Sequence, residues 1–142
     1  MAYYAIRNVN NYLVNNYLTN FNFFVKAVYA PCIEPKCGVM RWEELWGFQG
    51  KLITTNIEST RRVMKLPATF DHYYYVYDLD WLRIGTKPWR FEELSEFYQN
   101  PSIKLLTRTK RNAELIKNIW GTSAGVVEDF NINQLLTNIE VD

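Results

Sequence analysis

Asp78 and Asp80 close the run His72-Tyr73-Tyr74-Tyr75-Val76-Tyr77-Asp78-Leu79. A carboxylate at a strand end can accept a proton from a hydroxyl, ligate a metal or hold a ribose. Asp78 is therefore the candidate catalytic base. As plain strand terminators, both acids would instead face water. A second junction, Thr107-Arg108-Thr109-Lys110, places two cations and hydroxyls at an expected helix start, where free N–H groups attract anions. A third, Thr54-Thr55-Asn56 with Ser59, has the same form, although Thr55 and Glu58 also read as a capping box. Glu128 to Asn131 makes a fourth. The candidate ligand-binding set is thus Thr54, Thr55, Thr107, Arg108, Thr109, Lys110 and Glu128.

Metal and redox chemistry are poorly served. Cys32 and Cys37 have four residues between them, without a Cys-x-x-Cys motif, and His72 is the only histidine. Zinc takes about four ligands, and His72 is expected at the far end of its strand. Free packing thiols, no metal and no cofactor are the expectation. Neither G-x-G-x-x-G nor G-x-x-x-x-G-K-[ST] occurs. The junction Ile6-Arg7-Asn8-Val9 has no glycine, so ordinary dinucleotide and nucleoside-triphosphate modes are disfavoured. A phosphorelay receiver would need an acidic pair after its first strand, and that pair is missing.

The net charge of +1 provides no basic stripe for nucleic acid, and Arg108 to Arg111 reads as a solvated helix start. No stretch reaches the ~20 apolar residues that span a bilayer. The opening MAYYAIRNVNNY lacks the regions of a signal peptide. A cytoplasmic location is expected, the host cytoplasm if the protein is viral.

Positioning these groups falls to alternating elements. Residues 2–7, 22–30, 51–55, 72–79, 102–107 and 124–128 read as strands. Helical spacing marks 9–19, a short helix carrying Trp42, Leu45 and Trp46, a helix from Thr55 to Lys65, one around Phe91 and Leu94, one from Thr109 to Gly121, and one after Asn131. Alternation of this kind predicts an α/β fold, a Rossmann-like three-layer sandwich with a mostly parallel sheet of about six strands. The 142 residues suit a single domain over 1–142. In such sheets ligands bind outside the carboxyl ends of the strands, where the junctions above fall. Aromatic residues make up 16% of the chain, enough for a dense core or an added contact surface.

The passage from Ser102 through Thr107-Arg108-Thr109 to Gly121, followed by Val126 to Leu136, resembles the end of the N-terminal domain of GT-B glycosyltransferases. There a strand closes with Ser or Thr, a helix runs to a glycine, and a short strand leads to a polar turn. Leu52 to Thr60 and Tyr75 to Leu82 resemble small phage-encoded glycosyltransferase-like proteins. The resemblance implies an acceptor-side half, ending at Asp142 before a donor domain. Thr107 and Arg108 match the post-strand region and Glu128 to Asn131 the interdomain turn, while no catalytic residue carries over. The expected function is a non-catalytic binding or interaction domain, viral in one reading, with Trp42, Trp46 and Trp89 either packed or forming a contact surface. One alternative is a glycosyltransferase-like enzyme acting with a partner or as an oligomer, using Asp78 as base and Arg108 with Lys110 for phosphate. Another is a small nucleotide- or phosphate-binding regulator. Expected partners are a protein or a second copy, with a nucleotide or sugar-nucleotide ligand.

Overall fold

The computed structural model describes residues 2–16, 20–26, 33–67, 69–82 and 90–140. Its central strand is β4 (Phe70–Val76), buried from His72 to Val76. Such unbroken burial belongs to a parallel strand covered on both faces. Beside it lie β3 (Gly50–Thr54) and β5 (Ile103–Thr107), and β6 (Ala124–Val126) follows β5; all four are parallel, in the order β3-β4-β5-β6.

Side chains alternate across this sheet. Tyr74, Val76, Ile103 and Leu105 pack towards α2 (Ile57–Val63), α3 (Ser95–Tyr98) and α4 (Lys110–Trp120) through Ile57, Phe97, Tyr98, Ile116 and Trp120. Tyr73, Tyr75 and Leu106 pack the other way, onto α1 (Ala2–Asn15) and α5 (Ile132–Glu140) through Ala5, Val9, Ile132, Leu135 and Ile139. The connections from β3 to β6 all step in one direction, and right-handed crossovers then put α2, α3 and α4 on one face.

A second parallel ladder joins β1 (Asn22–Val25) to β2 (Gly38–Arg41). Phe23 packs with the Tyr73 and Leu135 cluster, whereas Phe24 packs with Leu52 and Val63. Successive residues of β1 thus reach opposite faces, so β1 extends the sheet layer beyond β3. Lys26 Nζ lies 3.9 Å from Glu58 Oε1, which places the carboxyl end of β1 beside the start of α2, the end at which β3 also finishes. No ladder joins β1 to β3 among the described residues. The architecture is α/β, with parallel strands in a ladder of four and a ladder of two and with helices on both faces.

The structure corrects several sequence expectations. Residues 2–7 are the start of α1, not a strand. The spacing of Ala5, Ile6, Val9, Tyr12 and Leu13 runs backwards through the segment at helical period, while Tyr3 and Tyr4 are exposed. The element order therefore begins with a helix. Strand β2 is not among the expected strands; all four of its residues are exposed, so it shows no apolar alternation to read. Asn56, not Thr55, caps α2: its side chain accepts from the Ser59 N–H at 2.8 Å. Glu58 bonds Arg62 one turn on, at 2.9 Å, instead of closing a capping box. The helix ends at Val63, short of Lys65.

Trp42 to Leu45 form a 3-10 turn in which Leu45 is buried, but Trp46 is 68% exposed and does not share its face. Phe91 to Leu94 form another such turn leading into α3. Strand β6 stops at Val126 because Glu128 to Phe130 turn sharply, with φ of 44° at Asp129 and 59° at Phe130. Thr109 caps α4 and Gly121 ends it at φ 73°, as expected. Asn131 accepts from the Gln134 N–H at the start of α5. Cys32, Trp89, and the expected strand residues 27–30 and helix residues 17–19 lie outside the described residues.

Candidate binding crevice between β1 and β3

The β1–β2 ladder and the β3-β4-β5-β6 ladder are separate among the described residues. In open α/β sheets, ligands usually bind in crevices outside the carboxyl ends of the strands. Here the crevice is large. A cavity of about 980 Å³ lies between β1 and β3, walled by Ala5, Ile6 and Val9 of α1 and by Leu135, Leu136 and Ile139 of α5. Phe21, Phe23 and Phe24 line it from the β1 side, Leu52 and Ile53 from the β3 side. Thr55, Asn56, Ser59 and Lys26 stand at the carboxyl end.

Two asparagines hold α1 against this cavity. Asn10 is 7% exposed; its Nδ2 donates to the Glu34 carbonyl and its Oδ1 accepts from the Lys36 N–H, both at 2.8 Å. Asn8 donates to the carbonyls of Asp129 at 2.7 Å and Phe130 at 3.2 Å. One helix therefore fastens the β1–β2 segment to the far end of the four-stranded sheet. The ionisable lining residues among those described are Lys26, Glu34 and Lys51. Lys26 faces Glu58, and the Lys51 ammonium donates to the Ile139 carbonyl. No pair of acids converges in this lining.

The expected site residues divide between this crevice and the carboxyl ends of the other strands. Thr54 and Thr55 line the crevice. Thr54 is buried, and its hydroxyl is 2.8 Å from Thr60 Oγ1, 2.9 Å from His72 Nε2 and 3.3 Å from the Tyr73 carbonyl. Thr60 donates to the Asn56 carbonyl, so it can only accept from Thr54. With its proton so used, Thr54 accepts from the Nε2–H of a neutral imidazole. Burial lowers the His72 pKa to about 4, which keeps the ring neutral.

Thr107 is fully buried and donates to the Val76 carbonyl, a tie between β5 and β4. Thr109 Oγ1 accepts from the Asn112 N–H as the α4 cap. Lys110 and Glu128 are exposed, and the Glu128 N–H donates to Gln134 Oε1. Arg108 Nε donates to Asp129 Oδ1 at 2.7 Å, and its guanidinium lies 4.9 Å from the centre of the Tyr77 ring. Tyr77 and the Asp129 carboxylate together raise the Arg108 pKa. Asp78 is exposed just beyond β4.

Asp80 has the more distinctive surroundings. Its Oδ2 accepts from the hydroxyls of Tyr74 and Tyr98, each at 2.5 Å. Burial first, and then the Asp80 charge, push the Tyr98 pKa well up. Trp120 stacks on Tyr98 with ring centres 5.3 Å apart, so this carboxylate ties β4 to α3 within an aromatic layer. The crevice walls Ile6, Val9, Phe23 and Leu136 were absent from the sequence-derived set. Helical periodicity does bring Leu136 inward, but no local pattern says that its neighbour across the gap is β1.

Among the described residues, no three His, Cys, Asp or Glu side chains converge as a metal site would require. Burial raises the pKa of the half-buried thiol of Cys37. No described helix is long and apolar enough to cross a membrane. No family model, no curated protein and no solved structure matches the chain.

Proposed function

We propose that this chain is a non-catalytic binding domain whose ligand occupies the crevice between β1 and β3. One observation carries the reading. The crevice lies between the two strand ladders, and apolar side chains from β1, β3, α1 and α5 line it without a convergent acid–base pair. Preformed apolar pockets of roughly 300–1,000 Å³ with a few polar groups at one end are the common form of small-molecule sites. The ligand is a compound with an apolar body, its polar end near Asn56, Ser59 and Lys26. The resemblance to the acceptor-side half of GT-B glycosyltransferases agrees with a binding role in place of a complete enzyme.

The transferase and phosphate-binding readings draw on Arg108, Lys110 and Asp78. The ion pair between Arg108 and Asp129 weakens both, because an anion would have to displace a carboxylate already in place.

The test is a thermal-shift screen comparing apolar and aromatic compounds with sugar nucleotides, nucleotides and inorganic phosphate. A ligand present at a hundred times its Kd stabilises the folded state by roughly 2.7 kcal/mol. Apolar compounds are expected to raise Tm, and Leu136→Trp, which fills the cavity, is expected to weaken them at least tenfold while Tm of the free protein holds. A sugar-nucleotide shift that survives Leu136→Trp and disappears in Arg108→Ala would overturn the crevice and restore the transferase.

A further inference from the structure

Strand β1 uses one edge on β2, and β3 uses one edge on β4; the other edge of each has no ladder partner among the described residues. Every residue of β1 and β3 lines the crevice, whereas no residue of β4 and only Val39 of β2 does. The cavity therefore lies on the free sides of both strands. Their Cα atoms stand more than 8 Å apart over nearly the whole of both strands. Paired strands are ~4.8 Å apart, so one absent strand leaves a gap of roughly 9.6 Å. The gap cannot be much wider, because Phe24 of β1 packs in the Leu52 and Val63 cluster, with its ring centre 5.3 Å from that of Phe48. Both apolar layers continue across it: Trp42, Leu45 and Val63 line one face, and Ala5, Val9 and Leu135 the other.

We infer that the crevice ligand is an extended peptide, the apolar C-terminal segment of a partner protein, inserted between β1 and β3 as a parallel strand. This inference rests on the crevice reading and names its ligand. Free strand edges present N–H and C=O groups that an added strand pairs with, here on both sides at once. A compound without a peptide backbone could fill the apolar layers but would leave both edges unpaired. Successive side chains of an inserted strand point to opposite faces, and both faces here are apolar. The segment is therefore a continuous apolar run, as in parallel strands covered on both sides, of about five residues, the length of β3. Charge sets its direction. Lys26 lines the crevice at the carboxyl ends of β1 and β3, and Glu58 does not line it. The Lys26–Glu58 contact is long, 3.9 Å, and Arg62 holds Glu58 more closely, at 2.9 Å. Asn56 Oδ1 accepts from the Ser59 N–H, which leaves the side-chain amide to donate. A parallel strand brings its terminal carboxylate to this ammonium and this amide.

Fluorescence anisotropy tests the inference with the full chain and labelled peptides that carry Lys-Lys-Ser ahead of five residues drawn from Val, Leu and Phe, matching the length of β3. Saturable binding is expected, weakened about tenfold by Leu136→Trp. An inserted strand bonds on both sides, so N-methylation at either of two successive central residues is expected to weaken binding about tenfold. Replacing the terminal carboxylate by an amide is expected to weaken it about threefold, and Lys26→Met to remove that difference. Thermal melts identify any variant whose fold is disturbed. N-methylated peptides that bind like the parent, or sensitivity at only one of the two positions, would overturn the insertion between two edges. A free acid that binds no tighter than its amide would overturn the parallel direction. Apolar compounds that bind in a Leu136→Trp-sensitive way while no peptide binds would overturn the peptide and leave the crevice reading standing. Failure of both classes would overturn the crevice itself.

Discussion

Strands β4 and β1 are both rich in aromatic residues, yet they are packed differently. From His72 to Val76 every residue of β4 is buried, whereas all four residues of β1 are only half-buried. Strand β4 has a hydrogen-bonded neighbour on each side and helices over both faces; among the described residues β1 has one such neighbour, β2. The tyrosines of β4 look chemically rich in the sequence, but their hydroxyls are committed within the fold. Tyr74 donates to Asp80, and Tyr75 donates to the Val127 carbonyl and accepts from the Phe130 N–H. The phenylalanines of β1 keep apolar surface facing an open cavity. In this molecule the densest cluster of functional groups holds the fold, and the incompletely packed strand has room for a ligand.

Mutations can break that comparison. Phe97 is fully buried behind β4, and Phe97→Ala should cost about 3–5 kcal/mol in urea unfolding through lost transfer energy and a new cavity. Phe23→Ala in β1 should cost about 1 kcal/mol, because its ring is only partly removed from water, and should weaken an apolar ligand more than it weakens the fold. Equal costs at the two positions would mean that β1 is as tightly packed as β4.

The next effect is a pH dependence. The folded-state pKa of His72 is about 4, lowered from 6.5 by burial. The unfolded chain therefore binds the proton first as pH falls. The stabilisation is complete above about pH 6.5 and is lost as pH drops through about 4, a change of up to about 3 kcal/mol. His72→Gln should flatten this part of the profile, as measured by unfolding between pH 7 and pH 4.5. A wild-type profile already flat over that range would place the imidazole in water.

A smaller effect is expected at Tyr75. Removing its hydroxyl in Tyr75→Phe leaves the Phe130 N–H and the Val127 carbonyl without that partner, at a cost of about 1–3 kcal/mol. It should also loosen the positive-φ turn at Asp129 and Phe130, which hydrogen exchange at Phe130 would report. Unchanged exchange would show that Asn8 alone, through its bonds to both carbonyls, holds the turn.

Local chemistry accounts for what was legible in the sequence. The cap at Thr109, the glycine end at Gly121, the Asn131 start of α5 and the strand 103–107 each depend on residues a few positions apart. The α/β class follows from the alternation of such units. The remainder depended on which distant segments meet. Residues 2–7 became helix because Ala5 and Val9 pack against Leu135 and Ile139, a contact that no local propensity encodes. Strand β2 has no readable pattern because its order comes from pairing with β1. Thr54 and Thr107 resemble exposed junction residues, but His72 and Thr60 surround the one and the Val76 carbonyl takes the other. The crevice has no sequence signature at all. It is the space between β1 and β3, which no ladder joins among the described residues, and only the tertiary structure decides which strand edges come together.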